Sequence, residues 1–259
     1  MSFKREGALF RDSKTMFIRS LMLSLRSPEA VSLGLIAPAA LMVVFVFVIG
    51  GAMDFGDSSV VNFIVPGIIL LSIAQSTPSI AARLTNDMSK GVIDRFRTMP
   101  IAKSSILVGH VSATVFNSVL SVAVTICVAF LVGFRPQAGL VEWLLALGIL
   151  VLYIIMMMWL AVLVGVHAKE PDSATGIMML IGILPFLSSG FAPTETMPTV
   201  LRVFAENQPM TPIINSVRAL LLAEPLADST LRLALAWCVG LTVVFYFAAL
   251  GIYKRKTAK

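Results

Sequence analysis

Apolar residues occur along this chain in long runs that contain almost no charge, separated by short charged or proline-rich segments. A helix needs ~20 consecutive, mostly apolar residues to cross the hydrocarbon core of a membrane. Six runs meet this length, and they predict membrane-spanning helices over residues 31–51, 60–82, 106–130, 143–166, 173–192 and 233–253. The pattern therefore predicts an all-α integral membrane protein in which residues 1–259 form a single transmembrane domain.

Lysine and arginine residues alternate between the two sides of these runs. If the chain starts in the cytoplasm, all but four of its 20 lysines and arginines lie in cytoplasmic segments. The exceptions are Arg135, Arg202, Arg218 and Arg232. Because cytoplasmic loops of membrane proteins carry an excess of positive charge, we expect both termini to be cytoplasmic. This placement also puts the basic residues beside anionic lipid, which argues against nucleic acid as a partner.

Composition supports a membrane protein. Hydrophobic residues make up 58% and charged residues 13% of the chain, whereas about 25% of residues are charged in soluble domains. The charged first 29 residues lack an apolar core followed by a small-residue cleavage site, so we expect no removable signal peptide. Cys127 and Cys238 lie in apolar runs without a CxxC spacing, and we expect both to behave as small buried hydrophobic side chains.

Two segments on the predicted cytoplasmic side are amphipathic. Residues 9–26 predict a helix lying on the membrane surface, with arginines on one face and Phe and Leu residues on the other. A basic tail that only sets the topology is the alternative for this segment. In the connection over residues 83–104, an apolar stripe that starts at Leu84 and Met88 predicts a second short amphipathic helix, which Pro100 should end.

The segment over residues 193–232, between the fifth and sixth predicted spans, is rich in proline. Thr211 is suited to cap a helix with Pro212 in its first turn, and Pro225 should end this helix near Ala223. Such a helix is too short to cross a membrane, yet it is apolar. We therefore expect a re-entrant or interfacial helix on the outer side, with an ordinary exposed loop as the alternative.

The predicted spans lack the groups that most transport or enzyme chemistry requires. His110 is the one ionisable residue inside them, whereas ion-coupled carriers generally need carboxylates or histidines within the membrane. The sequence contains no HExxH, no GxSxG and no GxxxxGK[ST] motif, so we expect no enzymatic activity and no nucleotide site. Gln75 and Asn117 are candidates to line a pathway, although hydrogen bonding between helices is the commoner role of such amides.

Four stretches of the sequence carry a resemblance to a known family. They are Leu-Arg-Ser-Pro-Glu at 25–29, Lys-Gly-Val-Ile-Asp-Arg-Phe-Arg-Thr-Met-Pro-Ile at 90–101, Ser-Ser-Gly-Phe-Ala-Pro at 188–193, and Phe-Ala-Glu-Asn-Gln-Pro at 204–209 followed by Asn-Ser-Val-Arg at 215–218. In this order they resemble the permease subunits of type-2 ATP-binding-cassette exporters, in particular the daunorubicin-resistance type of multidrug permease. The resemblance covers nearly the whole chain.

The resemblance implies an elbow helix, six spans, a coupling helix between the second and third spans, and short outer helices before the sixth. It also implies a second permease chain, identical or homologous, and two copies of an ATPase subunit that hold ATP and Mg²⁺, so that this chain binds no cofactor. The residues we assign to coupling with the ATPase are Gly91, Asp94, Arg95, Phe96, Arg97 and Pro100. For Arg95 and Arg97, lipid-facing charges that only set topology are the alternative.

These observations predict a permease subunit in a bacterial plasma membrane. Its cargo would be an amphiphilic drug, an antibiotic or a lipid-like compound that leaves the cell. Within the same fold, a lipid, glycolipid or polysaccharide exporter is the alternative. A channel or a membrane scaffold that transports nothing is the alternative from a different class.

Overall fold

The computed structural model of the chain describes residues 36–49, 60–89 and 103–257. All regular elements in these ranges are helical, which confirms the all-α part of the predicted fold. The helices are α1 (Ala37–Val43, continued as a π-helix over Val44–Ile49), α2 (Val60–Ser76), α3 (Pro78–Ser89), α4 (Lys103–Val132), α5 (Leu140–His167), α6 (Pro171–Ile181), α7 (Thr199–Asn207), α8 (Met210–Leu222) and α9 (Asp228–Thr257), with 3-10 turns at Leu184–Leu187 and Thr194–Thr196. The predicted surface helix over 9–26 lies outside the described residues.

Among the described residues, three helical segments are long and apolar enough to cross a membrane. They are Val60–Ser89, which joins α2 and α3, Leu140–His167 and Asp228–Tyr253. The most apolar parts of the first two are 67% buried by the rest of the protein, against 17% for the third. The span made of α2 and α3 therefore lies in the interior together with α5, whereas α9 lies at the periphery.

The centre of the helix bundle is α5. It packs against α3, α8 and α9, and its Tyr153, Met156 and Met157 side chains are completely buried. Lipid tails are as apolar as these side chains, so close packing rather than transfer from water stabilises such contacts within a membrane. Most of the other described helices therefore pack around α5.

The fifth predicted span, over residues 173–192, is not one continuous helix. The α-helix α6 ends at Ile181, and the 3-10 turn over Leu184–Leu187 follows it. Pro185 has no N–H to donate to the carbonyl group of Ile181, and the N–H groups beside it bond three rather than four residues back. The proline therefore ends the regular helix about midway through the predicted span.

Although α8 is short, protein encloses most of it. Its 13 residues extend ~20 Å at 1.5 Å per residue, and they pack against α2, α5 and α9. Ile213, Ile214 and Val217 are completely buried. The apolar side of this helix thus contacts neighbouring helices, so these side chains are not exposed to water.

The ends of α8 differ from the sequence prediction at one side. Thr211 does not cap the helix, because α8 begins at Met210 and the Thr211 hydroxyl donates to the carbonyl group of Ala205 instead. The helix ends near Ala223, as predicted. Ala223 adopts a left-handed conformation with φ of 53°, which closes the helix before Pro225.

A close contact between two glycines holds α2 against the turn that follows α6. An ideal Cβ at Gly67 would lie 2.7 Å from the carbonyl oxygen and 2.8 Å from the Cα of Gly190. These are backbone atoms, which cannot rotate away as the end of a side chain can. Small residues that let backbones approach this closely are typical of helix interfaces in membranes.

Replacing Gly67 should therefore destabilise the fold. We expect Gly67→Ala to lower the free energy of unfolding by about 1–3 kcal/mol, the usual range for inserting a methyl group into a filled site. Thermal unfolding of the purified protein in detergent measures the effect. Gly240→Ala on α9 is the control, because a Cβ there would meet nothing within 4 Å. Equal unfolding midpoints for the two variants would contradict the prediction.

Candidate functional site

The residues assigned to coupling lie outside the described part of the chain; they are Gly91, Asp94, Arg95, Phe96, Arg97 and Pro100. The helix that precedes them is α3, which ends at Ser89. Of the two candidate pathway amides, Gln75 is half-buried near the end of α2, with its Oε1 3.6 Å from an ideal Cβ at Gly182. Asn117 belongs to α4, which packs against α2.

The span that contains α2 and α3 is interrupted at Thr77. Pro78 begins α3 and has no N–H, so the carbonyl group of Ala74 loses its usual donor four residues later. The Thr77 backbone N–H at 3.3 Å and the Thr77 hydroxyl at 2.6 Å both donate to this carbonyl oxygen instead. An unsatisfied carbonyl group in an apolar interior costs several kcal/mol. Thr77 removes that penalty.

Two serines donate hydrogen bonds to neighbouring carbonyl groups in the same way. The Ser76 hydroxyl donates to the carbonyl oxygen of Ile73 at 2.7 Å, and the Ser79 hydroxyl donates to that of Ser76 at 3.2 Å. The hydroxyl groups of Ser76 and Ser118 also lie 3.0 Å apart, which joins this position to α4. We call residues 76–79 the 76–79 break. Its own hydroxyl groups replace the helical hydrogen bonds that it lacks.

Beyond the break, α3 is fastened to α5. The buried Thr85 hydroxyl lies 2.9 Å from the carbonyl oxygen of Ala81 in its own helix and 2.9 Å from that of Gly165 on α5. An ideal Cβ at Gly165 would lie 2.9 Å from the Ala81 carbonyl oxygen and 3.1 Å from the Cβ of Leu84. We call these four residues the α3–α5 clasp. Its hydrogen bond and its close backbone approach both require the small residue at 165.

At the other end of α2, Arg218 of α8 is partly buried among oxygen atoms. Its Nη2 donates to the carbonyl groups of Ser189 at 2.7 Å and Phe63 at 3.0 Å, and its Nη1 donates to Asn215 Oδ1 at 3.1 Å. The guanidinium carbon lies 3.9 Å from the centroid of the Phe63 ring, a favourable cation–π distance. We call Phe63, Ser189, Asn215 and Arg218 the Arg218 junction.

The Arg218 junction joins segments that are distant in sequence. The Ser189 hydroxyl donates to Asn215 Oδ1 at 2.7 Å, so the stretches at 188–193 and 215–218 meet here. Sequence reasoning noted these stretches only for their resemblance to a family and gave Arg218 no role. The sequence nevertheless contains a signal for this site. Arg218 lies within the apolar helix predicted to end near Ala223, and an arginine in such a helix needs hydrogen-bond acceptors from neighbouring segments.

The loop between α4 and α5 is tied to the same end of the bundle. The backbone N–H of Arg135 donates to Asn62 Oδ1 on α2 at 3.3 Å, and the backbone N–H of Gln137 donates to the carbonyl oxygen of Leu221 on α8 at 3.0 Å. Together with the Arg218 junction, these bonds hold α2, α8, the turn after α6 and this loop in one arrangement.

The chemistry of the described site is hydrogen bonding and packing. Within residues 36–49, 60–89 and 103–257, no group of three or more His, Cys, Asp or Glu side chains is placed to hold a metal ion. Both cysteines are free; Cys238 is buried, as expected, whereas Cys127 is exposed on the bundle surface. The described contacts fix the positions of helices relative to one another and hold no reacting group.

Comparison with known proteins gives consistent matches over most of the chain. The family model described as ABC-2 type transporter matches residues 11–222. The daunorubicin resistance ABC transporter permease protein DrrB1 of Streptomyces coeruleorubidus is 28% identical over 222 residues, covering 85% of this chain and 78% of that protein. The probable doxorubicin resistance ABC transporter permease protein DrrC from two strains of Mycobacterium tuberculosis is 24% identical over 211 residues, covering 81% of this chain and 76% of that protein.

The Arg218 junction should depend on the shape of the guanidinium group as well as on its charge. Lysine keeps the charge but cannot reach several acceptors at fixed angles. We expect Arg218→Lys to lower the free energy of unfolding by about 1–3 kcal/mol, because buried acceptors lose their donors. Thermal unfolding in detergent measures the change. Arg202→Lys is the matched control: Arg202 is exposed in the same outer segment and pairs with Glu206 at 2.8 Å. Equal losses would contradict the prediction.

Proposed function

The chain belongs to the ABC-2 type transporter family, and we propose that it is the permease subunit of an exporter that moves an amphiphilic drug out of a bacterial cell. The family match over residues 11–222 is the observation that carries this proposal. The names of the relatives support the drug as cargo, since one is named a daunorubicin resistance permease and the other a probable doxorubicin resistance permease. As a family member with several apolar helices, the chain is a membrane-embedded, multi-pass transport component.

We further propose six membrane spans at the positions predicted from the sequence, with both termini in the cytoplasm. The distribution of lysine and arginine supports this orientation. In this orientation the Arg218 junction lies at the outer face, and the end of α3 at Ser89 lies at the cytoplasmic face. The surface helix over 9–26 would then lie on the inner leaflet, and α8 would lie at the depth of the outer leaflet, shielded by α2, α5 and α9.

In the proposed assembly, two permease chains and two ATPase subunits form the exporter. ATP and Mg²⁺ would bind to the ATPase subunits, because the sequence of this chain has no GxxxxGK[ST] motif. The segment with Gly91, Asp94, Arg95 and Arg97 directly follows α3, so it is well placed to dock on the ATPase and to act on the bundle through that helix. An apolar stripe inserted into a groove is a common way for such a helix to dock.

A transport assay with a defined drug tests this function. Cells without other drug pumps should accumulate less daunorubicin when they express this chain together with its ATPase, and a substitution of the Walker-A lysine of the ATPase should abolish the difference. The ATPase should also co-purify with the chain. Equal daunorubicin levels together with lipid-stimulated ATP hydrolysis would favour a lipid, glycolipid or polysaccharide exporter. Failure of any ATPase to co-purify would favour a channel or a scaffold.

The assignment of coupling residues gives a separate prediction. The double variant Asp94→Ala with Arg97→Ala should insert normally and keep ATP hydrolysis, but lose about tenfold in drug transported per ATP, a loss within the usual range of coupling effects. Proteoliposomes with daunorubicin as the probe allow both rates to be measured. Asp228→Ala with Arg232→Ala at the start of α9 is the control, because both side chains are exposed and Arg232 bonds only within its own helix, to the backbone carbonyl group of Asp228. Normal transport per ATP by the first variant would refute the assignment.

A further inference from the structure

The 76–79 break lies where the chain changes neighbours. Before the break, α2 packs mainly against α1, α4 and α8, and after it α3 packs mainly against α5 and α6; smaller contacts join α2 and α4 to α5. The helix α5 packs in turn against α9. We call α1, α2 and α4 the first group, and α3, α5, α6 and α9 the second group. A single span therefore passes from one group of helices to the other at the residue where its helix is interrupted.

The α3–α5 clasp makes α3 part of the second group. The close approach of Gly165 to Ala81 and Leu84 leaves no room for α3 to slide along α5 without separating from it. The Thr85 hydroxyl adds a hydrogen bond across the same contact. If α3 moves, α5 should therefore move with it.

The two groups are joined at the opposite end of the bundle. There α8 packs against α2 from the first group and against α5 and α9 from the second. Arg218 additionally bonds α8 to Phe63 of α2. These contacts should restrain any relative movement of the groups at this end, so the end where α3 terminates at Ser89 is the one expected to move more.

We propose that the 76–79 break is a hinge between the two groups and that Thr85 is the positioning residue that makes α3 move with α5. The hydroxyl groups of Ser76, Thr77 and Ser79 satisfy carbonyl oxygens within one turn of their own residues. Bending at the break consequently needs no new donor from the apolar surroundings. The role of Thr85 in passing on ATP-driven movement rests on the proposed function, whereas the hinge itself does not.

Distance measurements on the permease alone, in lipid nanodiscs, test the hinge. In a protein with Cys127→Ala and Cys238→Ala, spin labels are attached through Ser89→Cys with Val119→Cys, which lie in different groups. The control pair, Ser89→Cys with Lys169→Cys, reports within the second group and its adjoining loop. All three labelled positions are exposed. We expect a broader distance distribution for the first pair than for the control pair.

Proline variants test whether the breadth of the distance distribution depends on the 76–79 break. Pro78→Ala restores an N–H for the carbonyl group of Ala74, so α2 and α3 should continue as one helix and the distribution for the first pair should narrow. Pro66→Ala lies within α2, inside one group, and should leave the distribution unchanged. Equal breadth for the two label pairs, or equal effects of Pro78→Ala and Pro66→Ala, would overturn the hinge whether or not the protein transports a drug.

The role of Thr85 is tested in proteoliposomes that contain the complex with its ATPase, with daunorubicin as the probe. We expect Thr85→Val to reduce the drug transported per ATP by about fivefold or more, the lower end of typical coupling effects, while basal ATP hydrolysis changes less than about twofold. Thr85→Ser should restore transport. Thr125→Val is the matched control, because the buried Thr125 hydroxyl bonds within its own helix, to Ser121.

A second pair of variants keeps this test decisive if Thr85→Val folds poorly. Gly165→Ala forces α3 and α5 apart and should lower transport per ATP, whereas Gly148→Ala, on the same helix with nothing within 4 Å, should not. Equal transport per ATP within both pairs would overturn the role of Thr85. If the unaltered complex moves no daunorubicin, the proposed cargo fails, and the label distances alone then decide on the hinge.

Discussion

Backbone carbonyl groups in an apolar interior need hydrogen-bond donors wherever a helix is interrupted, and this need accounts for several of the polar residues inside the bundle. At Pro78 the donors are hydroxyl groups of the adjacent residues. At the 3-10 turn after α6, the side-chain amide of Gln208 donates to the carbonyl groups of Leu184 and Leu187. Between α8 and α2, the side chain of Arg218 donates to the carbonyl group of Phe63, and it also reaches that of Ser189.

The same constraint decides where the structure can change shape. The interruption at residues 76–79 is satisfied mainly by its own short side chains, and its one described side-chain bond to another helix, from Ser76 to Ser118, stays within the first group of helices. Arg218 does the opposite, because its one side chain holds α8, α2 and the turn after α6 together. The bundle thus has one end where segments are tied and one end where a helix leads into the segment proposed to contact the ATPase.

Such an arrangement suits a permease whose energy is supplied by another subunit. Within the described residues no side-chain cluster suited to a metal ion is found, and the whole sequence has no P-loop. In the function proposed above, work on a cargo arrives as movement of helices. Of the proposed coupling path, the described residues include α3 with its clasp to Gly165. With only 12 residues, α3 is short enough to move together with α5 as one body.

The sequence anticipated the elements whose cause is local. The run over 143–166 coincides with the helix Leu140–His167, since length and apolarity suffice to make a membrane helix. Pro225 and the segment before it placed the end of α8 near Ala223, because proline cannot continue a helix. The interruption of the fifth predicted span at Pro185 was missed, although proline was visible there, because many membrane helices contain proline without ending.

By itself the sequence determined the helical class, the long apolar segments and the resemblance to a permease family, since all three follow from residue order and composition. The tertiary structure alone decided that Thr85 meets Gly165, that Gly67 meets Gly190 and that Arg218 meets Phe63. These pairs are separated by 80, 123 and 155 positions in the chain. No periodicity encodes such contacts, because they depend on how closely whole helices approach, and that distance is set by the packing of all their neighbours together.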